Sequence, residues 1–132
     1  MSESRQHHEL VTNVIDYIRA KVGEDLFCLI ESDAMDGHPL PELTLEGFRP
    51  DVFYEYQEVM YIGEAKTEKD IERQHSRKQY ESYLKKCSIY PGKAEFILAI
   101  PFTRYTVASE IIRSLRKKYP GDYEIKIIPG HM

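Results

Sequence analysis

Residues 94–100, AEFILAI, form a nearly unbroken apolar run that follows the break at Pro91-Gly92. A short run of this kind reads as a central strand covered on both faces. A chain that contains one must place other strands beside it and helices over it. Residues 4–22 predict an amphipathic helix, because Leu10, Val11, Val14, Ile15, Ile18 and Val22 recur three and four apart and Gly23 stops the pattern. LFCLIES, residues 26–32, reads as a short strand, and the glycine- and proline-rich stretch 33–47 as a loop. Phe48–Tyr56 and Val59–Ala65 predict two strands joined by a tight turn at Gln57-Glu58. Residues 69–87, free of Gly and Pro, predict a second helix. Residues 104–118 predict a third, with Val107, Ile111, Ile112 and Leu115 on one face, and YEIKII a last strand after the Pro120-Gly121 turn. The expected order is α-β-β-β-α-β-α-β, an α/β fold with a mixed sheet.

Length and composition narrow the class. At 132 residues the chain fits one domain spanning 1–132, with no internal repeat or linker. No apolar run approaches the ~20 residues that cross a bilayer, and the polar start MSESRQHHEL lacks the core of a signal peptide. A cytoplasmic protein without membrane association is therefore expected. Cys28 and Cys87 are too few for a disulfide framework and stand in no metal-type pair; both read as core cysteines. The net charge of −4 hides an uneven distribution. Residues 24–58 hold ten acids and one base, Arg49, whereas 66–86 hold seven bases against four acids and 103–118 five against one. An acidic pole opposite two basic segments is compatible with a polyanion bound on one side around a carboxylate cluster, and equally with solvated helix faces.

Chemistry concentrates on the predicted hairpin, RPDVFYEYQEVMYIGEAKT. Glu64 and Lys66 are two apart on a strand, so their side chains leave the same face. A turn at Gln57-Glu58 brings Asp51 back beside Glu64. Two carboxylates at close quarters repel and call for a cation between them, and hard oxygen ligands suit Mg²⁺ or Mn²⁺. A lysine beside them can orient or help deprotonate a metal-bound water, or steady a phosphate. This is the make-up of a hydrolytic phosphodiesterase site. Taken singly, each residue also has an ordinary role: Asp51 at a turn, Glu64 and Lys66 as an ion pair on a strand.

Pro50-Asp51, followed thirteen positions later by Glu64-Ala65-Lys66, resembles the signature of the PD-(D/E)XK nuclease superfamily. The resemblance implies a restriction-endonuclease-like core, αβββαβ, over residues 4–100, with a C-terminal helix and strand appended. It implies that Asp51, Glu64 and the carbonyl of Ala65 hold Mg²⁺ or Mn²⁺ and that Lys66 serves catalysis. Gln79 and Tyr83, four apart on the second helix, are similar to the Gln-x-x-x-Tyr element of the RecB-like branch, and Thr67 after the lysine fits that branch too. His7-His8-Glu9-Leu10 resembles the His-x-x-Leu pattern that opens many of these proteins, which would add His7 to the metal site. On a helical wheel His7 falls within the apolar face and Glu9 on the polar one, although Glu9 matches the chemistry of related resolvases. The thirteen positions from Lys66 to Gln79 are closer to compact stand-alone nucleases, of the Holliday-junction-resolvase and VRR-NUC kind, than to recombination nucleases.

The resemblance thus implies a metal-dependent deoxyribonuclease acting in repair, recombination or restriction, with DNA as substrate. Lys69, Arg73, Arg77 and Lys78 are the candidate phosphate contacts, with Lys85 and Lys86 further along the helix. Sequence preference would come from loop 33–47, a homodimer partner or a separate specificity protein. The alternative is a catalytically inactive nucleic-acid-binding or regulatory module on the same fold. The tyrosines at 54, 56 and 61 alternate as strand residues do and are expected to pack.

Overall fold

The computed structural model describes residues 2–130, and the side chains from Arg5 onward. Helix α1 (Ser2–Val22) precedes strands β1 (Val52–Tyr56) and β2 (Val59–Ala65), followed by α2 (Gln74–Ile89), β3 (Lys93–Ile100), α3 (Tyr105–Arg116) and β4 (Glu124–Pro129). The strands form one four-stranded sheet in the order β1-β2-β3-β4. The β1–β2 hairpin is antiparallel, and β2, β3 and β4 run parallel, with α2 and α3 as the crossovers. The chain is therefore an α/β protein with a mixed sheet, as its pattern predicts.

Each face of the sheet has its own core. Met60, Ile62, Phe96, Leu98 and Ile100 meet Tyr80, Tyr83, Leu84 and Cys87 of α2 and Ala108, Ile111, Ile112 and Leu115 of α3. Val52, Tyr54, Ala65, Ile97 and Ala99 meet Leu10, Val11, Val14, Ile15 and Ile18 of α1. Residues 96–100 are all buried because alternate side chains serve opposite layers. Each fully buried side chain of this size contributes roughly 1.5–3 kcal/mol. Helix α1 lies so close to β2 that a Cβ at Gly63 would stand 2.3 Å from Val14 Cγ1. Only glycine leaves room for that approach.

The hairpin turn is the two-residue loop expected. Gln57 (φ 50°) and Glu58 (φ 63°) both adopt positive φ, as a turn matching the strand twist requires. Neither is the Asn or Gly that takes this conformation most readily. Gly92 abuts the turn, where any Cβ would fall 2.1 Å from the Glu58 carbonyl oxygen.

Three expectations are corrected. LFCLIES is not a strand: Glu24–Leu29 form a 3-10 helix after Gly23 (φ 87°), and only Glu31 reaches the sheet, by an isolated antiparallel bridge to Phe53. The expected αβββαβ order is thus one strand short. Phe27 explains part of this. Its ring lies under the Arg19 guanidinium, 4.2 Å from the centroid, and edge-on to His38 at 5.1 Å, which folds the segment back towards α1. Cys28 is consequently exposed, whereas Cys87 is buried and its thiol is pushed up to about 12 by burial. The second helix starts at Gln74 rather than 69, after a turn in which the Thr67 carbonyl accepts from Asp70 N–H. Among the described residues no helix is long and apolar enough to cross a membrane.

Candidate active site

Strand parity places the site. Glu64 shares its side of β2 with Met60 and Ile62, the side covered by α2, and Lys66 just past the strand follows the same alternation. Val52 pairs with Gly63, so Asp51 falls opposite Glu64. The Asp51 N–H donates to Glu64 Oε1 at 3.3 Å, and the Ala65 N–H donates to Asp51 Oδ2 at 2.9 Å. The carboxylates are thereby woven together through the backbone at the rim where β1 begins and β2 ends.

Other elements converge there. His7 of α1 brings Nε2 to 3.2 Å from Asp51 Oδ2, whereas Glu9 is exposed. Lys66 Nζ lies 3.4 Å from Glu64 Oε2 and donates to Gln79 Oε1 of α2. Tyr83, one turn on from Gln79, is fully buried, and among the described residues its hydroxyl closes no hydrogen bond of ordinary geometry. Five of the six residues are linked by direct polar contacts, and Tyr83 lies close enough to Glu64 for its charge to be felt.

Electrostatics single out Glu64. It is 3% exposed, and burial followed by repulsion from Asp51 pushes its carboxyl up to about 8, against the opposing pull of Lys66. Tyr83 is likewise driven upward, first by burial and then by Glu64. His7 is raised mainly by its hydrogen bond to Asp51, which outweighs burial. Burial and the neighbouring carboxylate both favour the protonated form of Glu64, a tendency that a cation at the site would offset.

The donors fit a hard divalent ion only in part. Asp51 and Glu64 supply carboxylate oxygens of the right kind, and Ala65 is the residue whose N–H already grips Asp51. Among the described residues, however, no group of three or more His, Cys, Asp or Glu side chains is arranged to hold a metal ion. His7 meets Asp51 at the oxygen that Ala65 also engages, so here it positions that carboxylate.

The basic residues divide. Lys69, Arg73 and Lys78 are exposed, and Arg77 is half-buried, around the start of α2 at the same end of the sheet as Lys66. Arg73 pairs with Asp70 at 3.3 Å, and Arg77 Nε donates to the Glu72 carbonyl. Lys85 pairs with Glu46 at 3.2 Å and Lys86 lies over the Phe53 ring, so these two belong to the acidic pole. A groove of about 540 Å³ lined by Thr44, Leu45, Met60, Lys85, Ile89 and Tyr90 sits by the C-terminal half of α2 and shares no residue with the site.

One supporting residue escaped the sequence analysis. Ser32 is buried, and its hydroxyl donates to the Asp51 carbonyl at 2.7 Å while accepting from Ala34 N–H at 3.2 Å. It fixes the backbone that carries Asp51. A serine in a polar loop carries no signal of this. No protein-family model matches the chain, and no curated protein or solved structure is significantly similar to it.

Proposed function

We propose that this chain is a metal-dependent deoxyribonuclease of the PD-(D/E)XK type, its core trimmed by one strand to a single bridge. The observation that carries the reading is the convergence of His7, Asp51, Glu64, Lys66, Gln79 and Tyr83, drawn from two helices and both arms of a hairpin. Residues picked from a short linear signature need not meet in space, and a buried glutamate whose proton affinity is raised by burial and a second carboxylate is the kind of group that functional sites assemble.

In this reading Asp51, Glu64 and the Ala65 carbonyl hold Mg²⁺ or Mn²⁺. Such an ion supplies an activated water and offsets charge on the phosphoryl group. The protein's own residues do the rest. Glu64 would act as a ligand in its deprotonated form, and Lys66, steadied by Gln79, would orient the attacking water or hold a phosphate oxygen. His7 and Ala65 N–H fix the angle of Asp51. Lys69, Arg73, Arg77 and Lys78 guide the backbone towards the rim. Specificity arises from loop 33–47, a second copy of the chain or a separate protein.

The test is cleavage of labelled linear duplex, nicked circle, single strand and four-way junction, with and without Mg²⁺ or Mn²⁺, beside Lys66→Ala. Metal-dependent cutting that disappears in the variant supports the nuclease. A folded chain that cuts none of these and takes up no Mn²⁺ by calorimetry is instead a binding module.

A further inference from the structure

Beyond the site, the segment after β3 has a surface the proposed chemistry does not use. The Ala99 carbonyl accepts the Lys66 N–H at 3.0 Å, so the chain leaving β3 runs beside the catalytic lysine. It forms a 3-10 turn, Phe102–Arg104, that passes directly into α3 at Tyr105. Arg104 reaches across to Glu72, in the loop that follows Lys66, and ties the two segments together. Phe102 and Tyr105 are three apart on this helical turn and so fall on neighbouring positions of one side.

Both rings are in water. Phe102 is 41% exposed and Tyr105 46%, while Tyr54, Tyr80, Tyr83, Phe96 and Tyr123 are all buried; Tyr56, expected to pack, is 40% exposed too, but it stands beside the hairpin turn at the opposite end of the sheet from Lys66. Neither exposed ring belongs to either core, and among the described residues neither stacks on another ring or on a cation. Residues 96–109 contain no acid, and their one base, Arg104, is already paired with Glu72, so the positive charge near the rings comes from the start of α2. Lys69, Arg73 and Lys78 stand exposed at the neighbouring start of α2, and the acidic stretch 24–58 carries the opposite charge.

We propose that Phe102 and Tyr105 stack the bases of an unpaired DNA strand whose backbone passes Lys66, so that the substrate is single-stranded or splayed rather than intact duplex. The proposal rests on the nuclease reading for the scissile phosphate, and on the rings alone for the bases. Base faces inside a duplex are already covered by their neighbours, and only an unpaired strand can offer one to an exposed ring. Stacking of this kind contributes about 1–3 kcal/mol per base and tolerates any sequence.

The test is binding of the full chain, without divalent ion so that nothing is cut, to a fluorescent single strand and to the blunt duplex of the same sequence. The expected result is single-strand binding about ten-fold or more tighter, reduced about ten-fold or more by Phe102→Ala with Tyr105→Ala and restored by Phe102→Tyr with Tyr105→Phe. 2-Aminopurine in the strand should be quenched by the native chain and not by the alanine pair. Equal affinity for both DNAs, or an alanine pair that keeps its single-strand affinity, overturns the proposal. So does a change of oligomeric mass in that variant, which would assign the rings to a second copy. Cleavage is scored separately. Ring-dependent strand binding without metal-dependent cutting would retain the stacking surface and discard the nuclease, whereas ring-independent cutting of duplex would do the reverse.

Discussion

The sheet buries a glutamate at each end, and the two are treated differently. Glu95, 6% exposed at the start of β3, accepts a 2.6 Å hydrogen bond from Tyr17 and has Lys21 Nζ 3.9 Å away. Glu64, 3% exposed at the end of β2, faces a second carboxylate and a tyrosine whose hydroxyl closes no ordinary bond. Burying a carboxylate is costly unless its oxygens are satisfied. Both ends supply a lysine, Lys21 for Glu95 and Lys66 at 3.4 Å for Glu64, but only Glu64 has a second carboxylate, Asp51, set against it. Similar burial thus marks a structural residue in one place and a candidate site in the other.

The sharpest way to break that comparison is to remove each lysine. Lys66→Ala should lower metal-dependent cleavage about 10²–10⁴-fold, and Lys21→Ala should leave the initial rate unchanged. Equal losses would mean that both lysines serve the fold alone.

The pH dependence of stability comes next. Glu64 titrates near 8 in the folded chain against an ordinary 4.5, so between those values the native state holds a proton that the unfolded chain releases. Stability then falls as pH rises through this window. His7, raised from 6.5, acts in the same direction: its contribution is complete below 6.5 and is lost as pH rises through its folded value. Thermal melts without divalent ion should therefore decline from pH 5 to pH 8.5, flatten in Glu64→Gln, and recover at pH 8 with Mn²⁺. A profile that climbs over this range contradicts the assignment.

Glutamine at each position separates the two ends further. Glu95→Gln should cost about 1 kcal/mol in urea unfolding, because Tyr17 loses a charged acceptor, and should leave cleavage intact. Glu64→Gln should abolish cleavage with no loss of stability at pH 8. The smallest effect belongs to the hairpin turn at the Glu95 end. Glu58→Gly, at φ 63°, should add about 0.5 kcal/mol by relieving a positive φ, with no change in cleavage.

Much of this molecule was legible because hairpins and helices follow local periodicity. A period of two and a two-residue turn set Asp51 opposite Glu64, and a period of 3.6 put His7 on the buried face of α1 and Gln79 beside Tyr83. The pattern misled at residues 26–32, where an apolar stretch makes a single bridge to the edge strand β1 and otherwise coils back against α1. It misled at Cys28 for the same reason. It was silent on Ser32, which meets Asp51 across nineteen residues.

The sequence by itself therefore determined the three α-helices, the four strands of the sheet, the hairpin register and the identity of the charged residues on it, since these depend on neighbours along the chain. The tertiary structure alone decided that α2 covers Glu64 and lifts its proton affinity, that Glu95 is satisfied by Tyr17, and that Phe102 and Tyr105 stay exposed on the segment leaving β3. Desolvation and hydrogen-bond satisfaction depend on which distant segments exclude water from a group, and local periodicity carries no record of that.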